Sequence, residues 1–362
     1  MKKFLLSLFL LGITLIPNYV SAEVDDRSQL RYELEFDQSA DLYFERGNIY
    51  FDVGQYSEAI NEYSKALKFD PKFAMAYNNR GNAYANLGKY VEAIRNYDRA
   101  IELEPQNVNA YNNRGTAYTD LGEYDEAIRD FDKAAEINPN FAGTYYNRGI
   151  VYRKLGDYES ANRDYNRAIG LNPRHWKAYN NRGLIHYYCN RYTAAINDFN
   201  RAIEINPNFA DVYTNRGNVY RNLGQYESAI RDYNRAIELD PKYAMAYNNR
   251  GLVYYNLERY EMAIRNFNRA IEINPNLAIA YCNRGLIYSG FEHFDLAIRD
   301  YNRAIALDPK FAMAYNNRGV AYYNLGKYDL ALADFQKALK IDPNNQIAKN
   351  SLAIMQNQRR SA

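Results

Sequence analysis

The side chains of this chain that could do chemistry are concentrated in five residues, YNNRG at Tyr77 to Gly81. Variants of the five begin at Tyr43, Tyr111, Tyr145, Tyr179, Tyr213, Tyr247, Tyr281 and Tyr315, so that successive starts, Tyr77 included, lie 34 residues apart. The chemistry they offer is recognition. A primary amide carries donors and acceptors together, a guanidinium five donors, and a phenol ring an apolar face with a polar tip. Nothing here pairs a nucleophile with a base. The 3 histidines, His175, His186 and His293, are scattered, and neither metal-ligand spacing nor a glycine-rich phosphate loop occurs. The sequence therefore implies no catalytic residue, no metal and no cofactor, and its chemistry is that of a binding protein rather than an enzyme.

The elements that position these residues follow from the repeat. With the first unit set at 40–73, eight more follow without insertion at 74–107, 108–141, 142–175, 176–209, 210–243, 244–277, 278–311 and 312–345. In the unit AMAYNNRGNAYANLGKYVEAIRNYDRAIELEPQN (74–107), Tyr77, Gly81 and Tyr84 form one helical stripe, and Tyr90, Ala93, Ile94, Tyr97, Ala100 and Ile101 form a second. Gly88 between them accepts the left-handed conformation that ends a helix, and Pro105 stops the second helix. Each unit is thus predicted to be a helical hairpin. One hairpin cannot bury both stripes, so neighbours must stack, as in a quasi-one-dimensional solenoid.

The spacing Tyr77-x2-Arg80-Gly81-x2-Tyr84, then Ala93-x3-Tyr97, then Pro105, resembles the tetratricopeptide repeat. The resemblance implies an all-α fold: a right-handed α-solenoid superhelix of nine helix-turn-helix units, closed by a C-terminal capping helix over 346–362. Three departures stand out. Tyrosine replaces tryptophan at the fourth position, arginine replaces leucine at the seventh (Arg46 to Arg318), and the hairpin glycine is lost at Asn190, Glu258 and Glu292. His186 also stands where the other units have tyrosine at the eleventh position.

The sixth position holds Asn79, Asn113, Asn147, Asn181, Asn215, Asn249, Asn283 and Asn317, with Glu45 in the first unit. At about 100° per residue it points away from the packing stripe, so these asparagines are expected to face solvent with no packing role. An alanine there would favour helix by several tenths of a kcal/mol. In tetratricopeptide proteins the first helices line the inner wall of the superhelix. The resemblance then implies a ladder similar to that of O-linked N-acetylglucosamine transferase, which holds an extended peptide by its main chain. Copying of a unit that happened to hold asparagine is the plain alternative, and the near-identical stretches at 71–81, 241–251 and 309–319 favour it.

Of the 38 tyrosines, most occupy framework positions. The surplus includes Tyr146, Tyr187 and Tyr188, which with Arg153, Lys154, Lys177 and Arg221 form a candidate specificity patch in the middle of the array. The first unit differs, with Asp41, Phe44, Glu45 and Asp52 in the corresponding places, and it is expected to reject an anionic end. The pattern of lysines, asparagines and arginine with which some tetratricopeptide domains clamp a C-terminal carboxylate is not met in units three to five. Arg80 and its copies lie on the packing side, where a lone charge is costly. Position 23 of every unit is Glu, Asp or Asn, so the arginine is expected to span to it with its stem on tyrosine.

The first 22 residues carry Lys2 and Lys3, an apolar run from Phe4 to Ile16 and a small-residue site at Val20-Ser21-Ala22. That is the pattern of a secretory signal peptide cut after Ala22, too short for a stable membrane span. A periplasmic or secreted protein follows as the expectation. Residues 23–39 form a linker or arm. Removing Lys2 and Lys3 takes the formal charge from +2 to zero, and bulk charge gives no reason to expect a nucleic-acid partner. Cys189 and Cys282 stand three repeats apart, too far to pair in a stack. Two functions are in play: a scaffold for protein or extended peptide, and a glycan-binding or polysaccharide-export protein using groove tyrosines.

Overall fold

The computed structural model describes residues 39–361, with side chains through 355. The predicted leader at 1–22 and all but the last residue of the predicted arm at 23–39 lie outside the described residues. Nineteen helices and no strand occur among them. They fall into two compact units, one ending at Pro173 and one beginning at Arg174.

The first unit contains α1 (Ala40–Asp52), α2 (Tyr56–Phe69), α3 (Ala74–Asn86), α4 (Tyr90–Leu103), α5 (Val108–Leu121), α6 (Tyr124–Ile137), α7 (Ala142–Lys154) and α8 (Tyr158–Leu171). The second contains α9 (Trp176–Tyr188), α10 (Tyr192–Ile205), α11 (Ala210–Asn222), α12 (Tyr226–Leu239), α13 (Ala244–Asn256), α14 (Tyr260–Ile273), α15 (Ala278–Gly290), α16 (Phe294–Leu307), α17 (Ala312–Asn324), α18 (Tyr328–Ile341) and α19 (Gln346–Ser361). Each odd-numbered helix up to α17 pairs with the next as a hairpin, and within each unit successive hairpins stack. At the C-terminal end, α19 packs on α18, with Met355 buried against Phe335.

The hairpin turn needs one left-handed residue. Glycine fills it in six repeats, for example Gly88 at φ 72°, while Asn190, Glu258 and Glu292 adopt it at φ 55°, 59° and 61°. The loss of glycine there leaves the turn intact and stores strain in it. Between hairpins, the Asp or Asn one residue after the second helix turns the chain with its own side chain. Asp70 accepts from the Lys72 N–H and Asn138 from the Asn140 N–H.

The core is built from small residues against rings. Ala93, Tyr97 and Ala100 of α4 are buried, and a Cβ added to Gly81 of α3 would stand 2.5 Å from the Tyr97 ring. The same glycine-on-ring contact recurs in each hairpin, for instance Gly183 on Phe199. The helices approach closely because that Cβ is missing.

The arginine of the motif braces the stack as expected. Arg114 Nε and Nη2 donate to both oxygens of Asp130 at 2.8 and 2.6 Å, and Nη1 reaches back to Asp98 of the preceding repeat at 2.6 Å. Arg216, Arg284 and Arg318 hold Asp232, Asp300 and Asp334 in the same way, and each also takes an asparagine of the preceding repeat, Asn200, Asn268 or Asn302. Arg80 and Arg250 meet neutral partners only: Asn96 and Ser64, and Asn266 and Asn234. Each of these guanidiniums lies over the tyrosine that opens its own motif, Arg114 at 5.5 Å from the Tyr111 centroid and Arg250 at 5.3 Å from that of Tyr247. Burial works against the charge on Arg114, and the Asp130 and Asp98 carboxylates more than offset it, holding the guanidinium above its ordinary range. Burial pulls Arg80 and Arg250 below theirs.

Candidate functional site

The asparagines of the motif do not stand free. None of Asn79, Asn113, Asn147, Asn181, Asn215, Asn249, Asn283 and Asn317 is exposed, and Asn249 and Asn283 are only 7% and 8% accessible. This corrects the expectation that the sixth position points to solvent without a packing role. The helical angle does turn it away from its own hairpin's second helix. It turns it toward the first helix of the neighbouring repeat instead.

The amides are joined in relays. In the first unit Asn113 Nδ2 donates to Asn78 Oδ1 (3.1 Å), Asn78 Nδ2 to Asn79 Oδ1 (3.1 Å), and Asn79 Nδ2 to Asn48 Oδ1 (3.0 Å), which also accepts from the Tyr63 hydroxyl. The second unit repeats the pattern: Asn283 to Asn248 (3.0 Å), Asn248 to Asn249 (3.1 Å), and Asn249 to Asn218 (3.0 Å), itself an acceptor for Tyr233. A shorter run joins Asn215 to Asn180 and Asn180 to Asn181. At the far end Asn316 donates to Asn317, and Asn317 to the Cys282 sulfur at 3.8 Å. Burial pushes that thiol up to about 12.

A rule connects these bonds. A sixth-position asparagine donates to the fifth-position asparagine of the preceding repeat, 35 residues back. Where that fifth residue is Phe44 or Thr214, it donates instead to a ninth-position asparagine 31 residues back, Asn48 or Asn218. Asn147 is the exception in the first unit. It makes no side-chain hydrogen bond among the described residues, and its expected partner Asn112 turns its amide to the Val108 carbonyl, leaving its own oxygen buried without a donor.

Each inner amide of a relay, such as Asn78, Asn79, Asn248 or Asn249, uses one donor and one acceptor within the protein and keeps a second N–H and spare lone pairs. What remains in each unit is a half-buried strip of oriented amides on its first helices. Sequence reasoning missed the other half of that strip, Asn48, Asn78, Asn180, Asn218 and Asn248. For Asn48 and Asn218 a signal was present: each is a ninth-position asparagine in a repeat whose fifth residue, Phe44 or Thr214, is not asparagine.

The residues of the expected specificity patch fall in both units, Tyr146, Arg153 and Lys154 in the first and Lys177, Tyr187, Tyr188 and Arg221 in the second. In the first unit the Tyr146 ring lies 6.1 Å from that of Tyr165, Lys154 Nζ sits 5.8 Å over the Tyr124 ring, and Arg153 is half-buried with its Nε unpartnered. In the second, Tyr187 packs on Tyr188 and Tyr192 and accepts at its hydroxyl from Asn222, while Lys177 lies 5.7 Å over Trp176. Arg221 is half-buried. The surplus tyrosines have a packing explanation. A ring at the twelfth position meets the ring that opens the second helix, as in Phe51–Tyr56, Tyr187–Tyr192, Tyr255–Tyr260 and Tyr323–Tyr328, at 5.3 to 6.1 Å.

Among the described residues no group of three or more His, Cys, Asp or Glu is placed to hold a metal ion, and no helix is long and apolar enough to cross a membrane. Cys189 and Cys282 are both free thiols.

No curated protein matches the sequence. Solved structures of similar fold include the APC/C hetero-tetramer Cut9-Hcn1, 16% identical over 87% of this chain and 76% of that one, with a TM-score of 0.59. Yeast Tom70 is 20% identical over 91% of this chain and 84% of its own, with a TM-score of 0.54. At these identities the likeness concerns the fold. A TPR repeat model matches residues 47–88, 81–122, 183–224, 217–258 and 293–326, and a tetratricopeptide repeat model matches 108–141, 142–175, 244–277 and 312–345. With stacked helical hairpins and two family models spread along its whole repeat array, the chain belongs to the tetratricopeptide repeat family.

Proposed function

We propose that this protein is a non-enzymatic scaffold that binds an extended polypeptide along its first helices, chiefly by the main chain. The family is one of protein-interaction scaffolds, and the observation that carries the finer reading is the amide strip. Asparagines locked into relays are pre-oriented, so a bound strand meets donors and acceptors whose ordering cost was met on folding. An amide matches a peptide group whatever side chain the peptide bears. The ladder residues Asn79, Asn113, Asn147, Asn181, Asn215, Asn249, Asn283 and Asn317 serve the ligand with the capacity they do not spend on one another. No observation favours the glycan alternative, because the tyrosines meant to stack on sugar rings stack on neighbouring rings. The exported setting rests on the leader pattern of residues 1–22.

Asn147 separates binding from folding. It has no side-chain hydrogen bond among the described residues to lose, so Asn147→Ala is expected to hold or slightly raise the unfolding midpoint and to weaken binding of an array-selected peptide several-fold. Asn249→Ala breaks a relay and is expected to lower both. Unchanged affinity in Asn147→Ala and Asn249→Ala alike would remove the amide strip from the ligand site.

A further inference from the structure

The two relays share a scaffold and differ in what surrounds it. Around the first lies a cavity of about 560 Å³, lined by Phe44, Phe51, Tyr63 and Met75, by the carboxylates of Glu45 and Asp52, and by the amides of Asn48, Asn79 and Asn82. Phe44 and Tyr63 are buried, with ring centroids 5.8 Å apart, and they make an apolar floor. Met75, 55% exposed, forms a mobile-stemmed wall. Glu45 and Asp52 are exposed at the rim, and neither has an ion pair or a side-chain hydrogen bond among the described residues. Both face the same space. Burial raises the Tyr63 hydroxyl above its ordinary range, and the charges of Asp52 and Glu45 add to the rise.

The same places around the second relay hold Thr214, Arg221, Tyr233 and Met245, with Asn215 and Asn222 where the carboxylates stand. The backbone frame and the amides are shared, and of the nine repeats only the first carries carboxylates at both places, the third having Asp120 at one of them. Two unpaired carboxylates above an aromatic floor suit a cation on an apolar stem. The carboxylates attract the charge, and the accessible apolar lining, the Phe51 ring and the Met75 stem, accepts the methylenes.

We propose that this cavity binds a lysine side chain of the polypeptide ligand and so sets which part of the ligand lies against the first and second repeats. The inference rests on the reading of the amide strip as a polypeptide site. Asn79 and Asn48 at the cavity wall hold the main chain beside the lysine, while its stem lies between Phe51 and Met75 and its ammonium reaches Glu45 and Asp52.

The test uses the full chain with side-chain amides of asparagine labelled for NMR, and three probes: Nα-acetyl-lysine methylamide, its norleucine counterpart and butylammonium. Lysine is expected to shift the amide signals of Asn48, Asn79 and Asn82 saturably, norleucine and butylammonium to bind at least several-fold more weakly. The variant Glu45→Asn/Asp52→Asn carries residues found at these positions in other repeats, which protects its fold. It is expected to lose affinity for the lysine probe by about tenfold, the sum of two exposed ion pairs. Equal binding of lysine and norleucine, or an unchanged variant, overturns the proposal. Equal binding of butylammonium overturns the polypeptide source. If array peptides bind while the lysine probe does not, the pocket is wrong and the scaffold reading stands. If the lysine probe binds and no array peptide does, the scaffold reading fails instead, and with it the polypeptide occupant.

Discussion

Arginine at the seventh position predicts a difference between two otherwise equivalent repeats. Arg114 and Arg250 have the same register, the same tyrosine beneath them, and half-buried stems; they differ in what they hold. Replacing Arg114 by methionine keeps most of the stem and strands Asp130, a carboxylate 5% exposed, without its bidentate partner. Breaking a buried ion pair in this way costs about 3–5 kcal/mol. The Asp98 contact adds little, since that side chain is 43% exposed and an exposed pair contributes under about 1 kcal/mol. Arg250→Met strands the amide oxygens of Asn266 and Asn234, which are neutral, at about 1–3 kcal/mol. The cation–ring contact is lost in both and cancels. Arg114→Met is therefore expected to destabilise its hairpin by roughly 2 kcal/mol more than Arg250→Met destabilises its own. Guanidinium unfolding gives the totals, and native-state hydrogen exchange localises them to α5–α6 and α13–α14, because repeat arrays open in segments. An Arg250→Met cost equal to or above that of Arg114→Met would refute the reasoning and leave stem packing as the arginine's whole contribution.

Glycine makes two opposite predictions: Gly183→Ala drives a Cβ to 2.7 Å from the Phe199 ring and should destabilise by about 1–3 kcal/mol, whereas Gly170→Ala, in open space on α8, should stabilise by about 0.5–1 kcal/mol, both read from unfolding midpoints. Glu258→Gly relieves a left-handed glutamate at φ 59° and should gain about 1 kcal/mol by the same measurement. For His186, burial holds the imidazole below its ordinary value, and its Nδ1 is buried without a partner. The unfolded chain then takes the proton more readily, so this residue's effect is to lose stability as pH falls below the unfolded pKa of about 6.5. His186→Tyr should flatten the fall in unfolding midpoint between neutral and mildly acid pH. His175, also held low by burial, should leave a residual slope.

Much of the fold was legible because the period is strict and its punctuation has mechanisms. Gly88 and Pro105 stop helices by backbone geometry, and Gly81 had to be small if a ring lay opposite. The arginine brace was legible for a different reason: a charge at a packing position demands a partner, and position 23 offered a polar group in every repeat, although position 25, polar in every repeat as well, went unread as the second partner across to the next arginine. The asparagines misled because a helical angle reports direction within one hairpin, while their partners stand 31 or 35 residues away on the next first helix. Asn79 looked idle for want of Asn48. Tyr187 looked like a free ring because the ring it meets lies across the hairpin turn, at Tyr192, where the chain reverses and helical periodicity lapses.

The amide strip is tested most directly by changing the ligand's backbone and leaving the protein alone. A peptide selected on an array against the full chain would be compared with its scrambled sequence and with analogues in which single main-chain amides become esters. Isothermal titration is expected to show scrambled peptides, with any lysine kept in place, within a few-fold of the parent. Each ester facing an asparagine should weaken binding by about tenfold, close to the net contribution of one hydrogen bond. Esters that bind as well as amides, together with scrambling that abolishes binding, would contradict main-chain recognition by the asparagines.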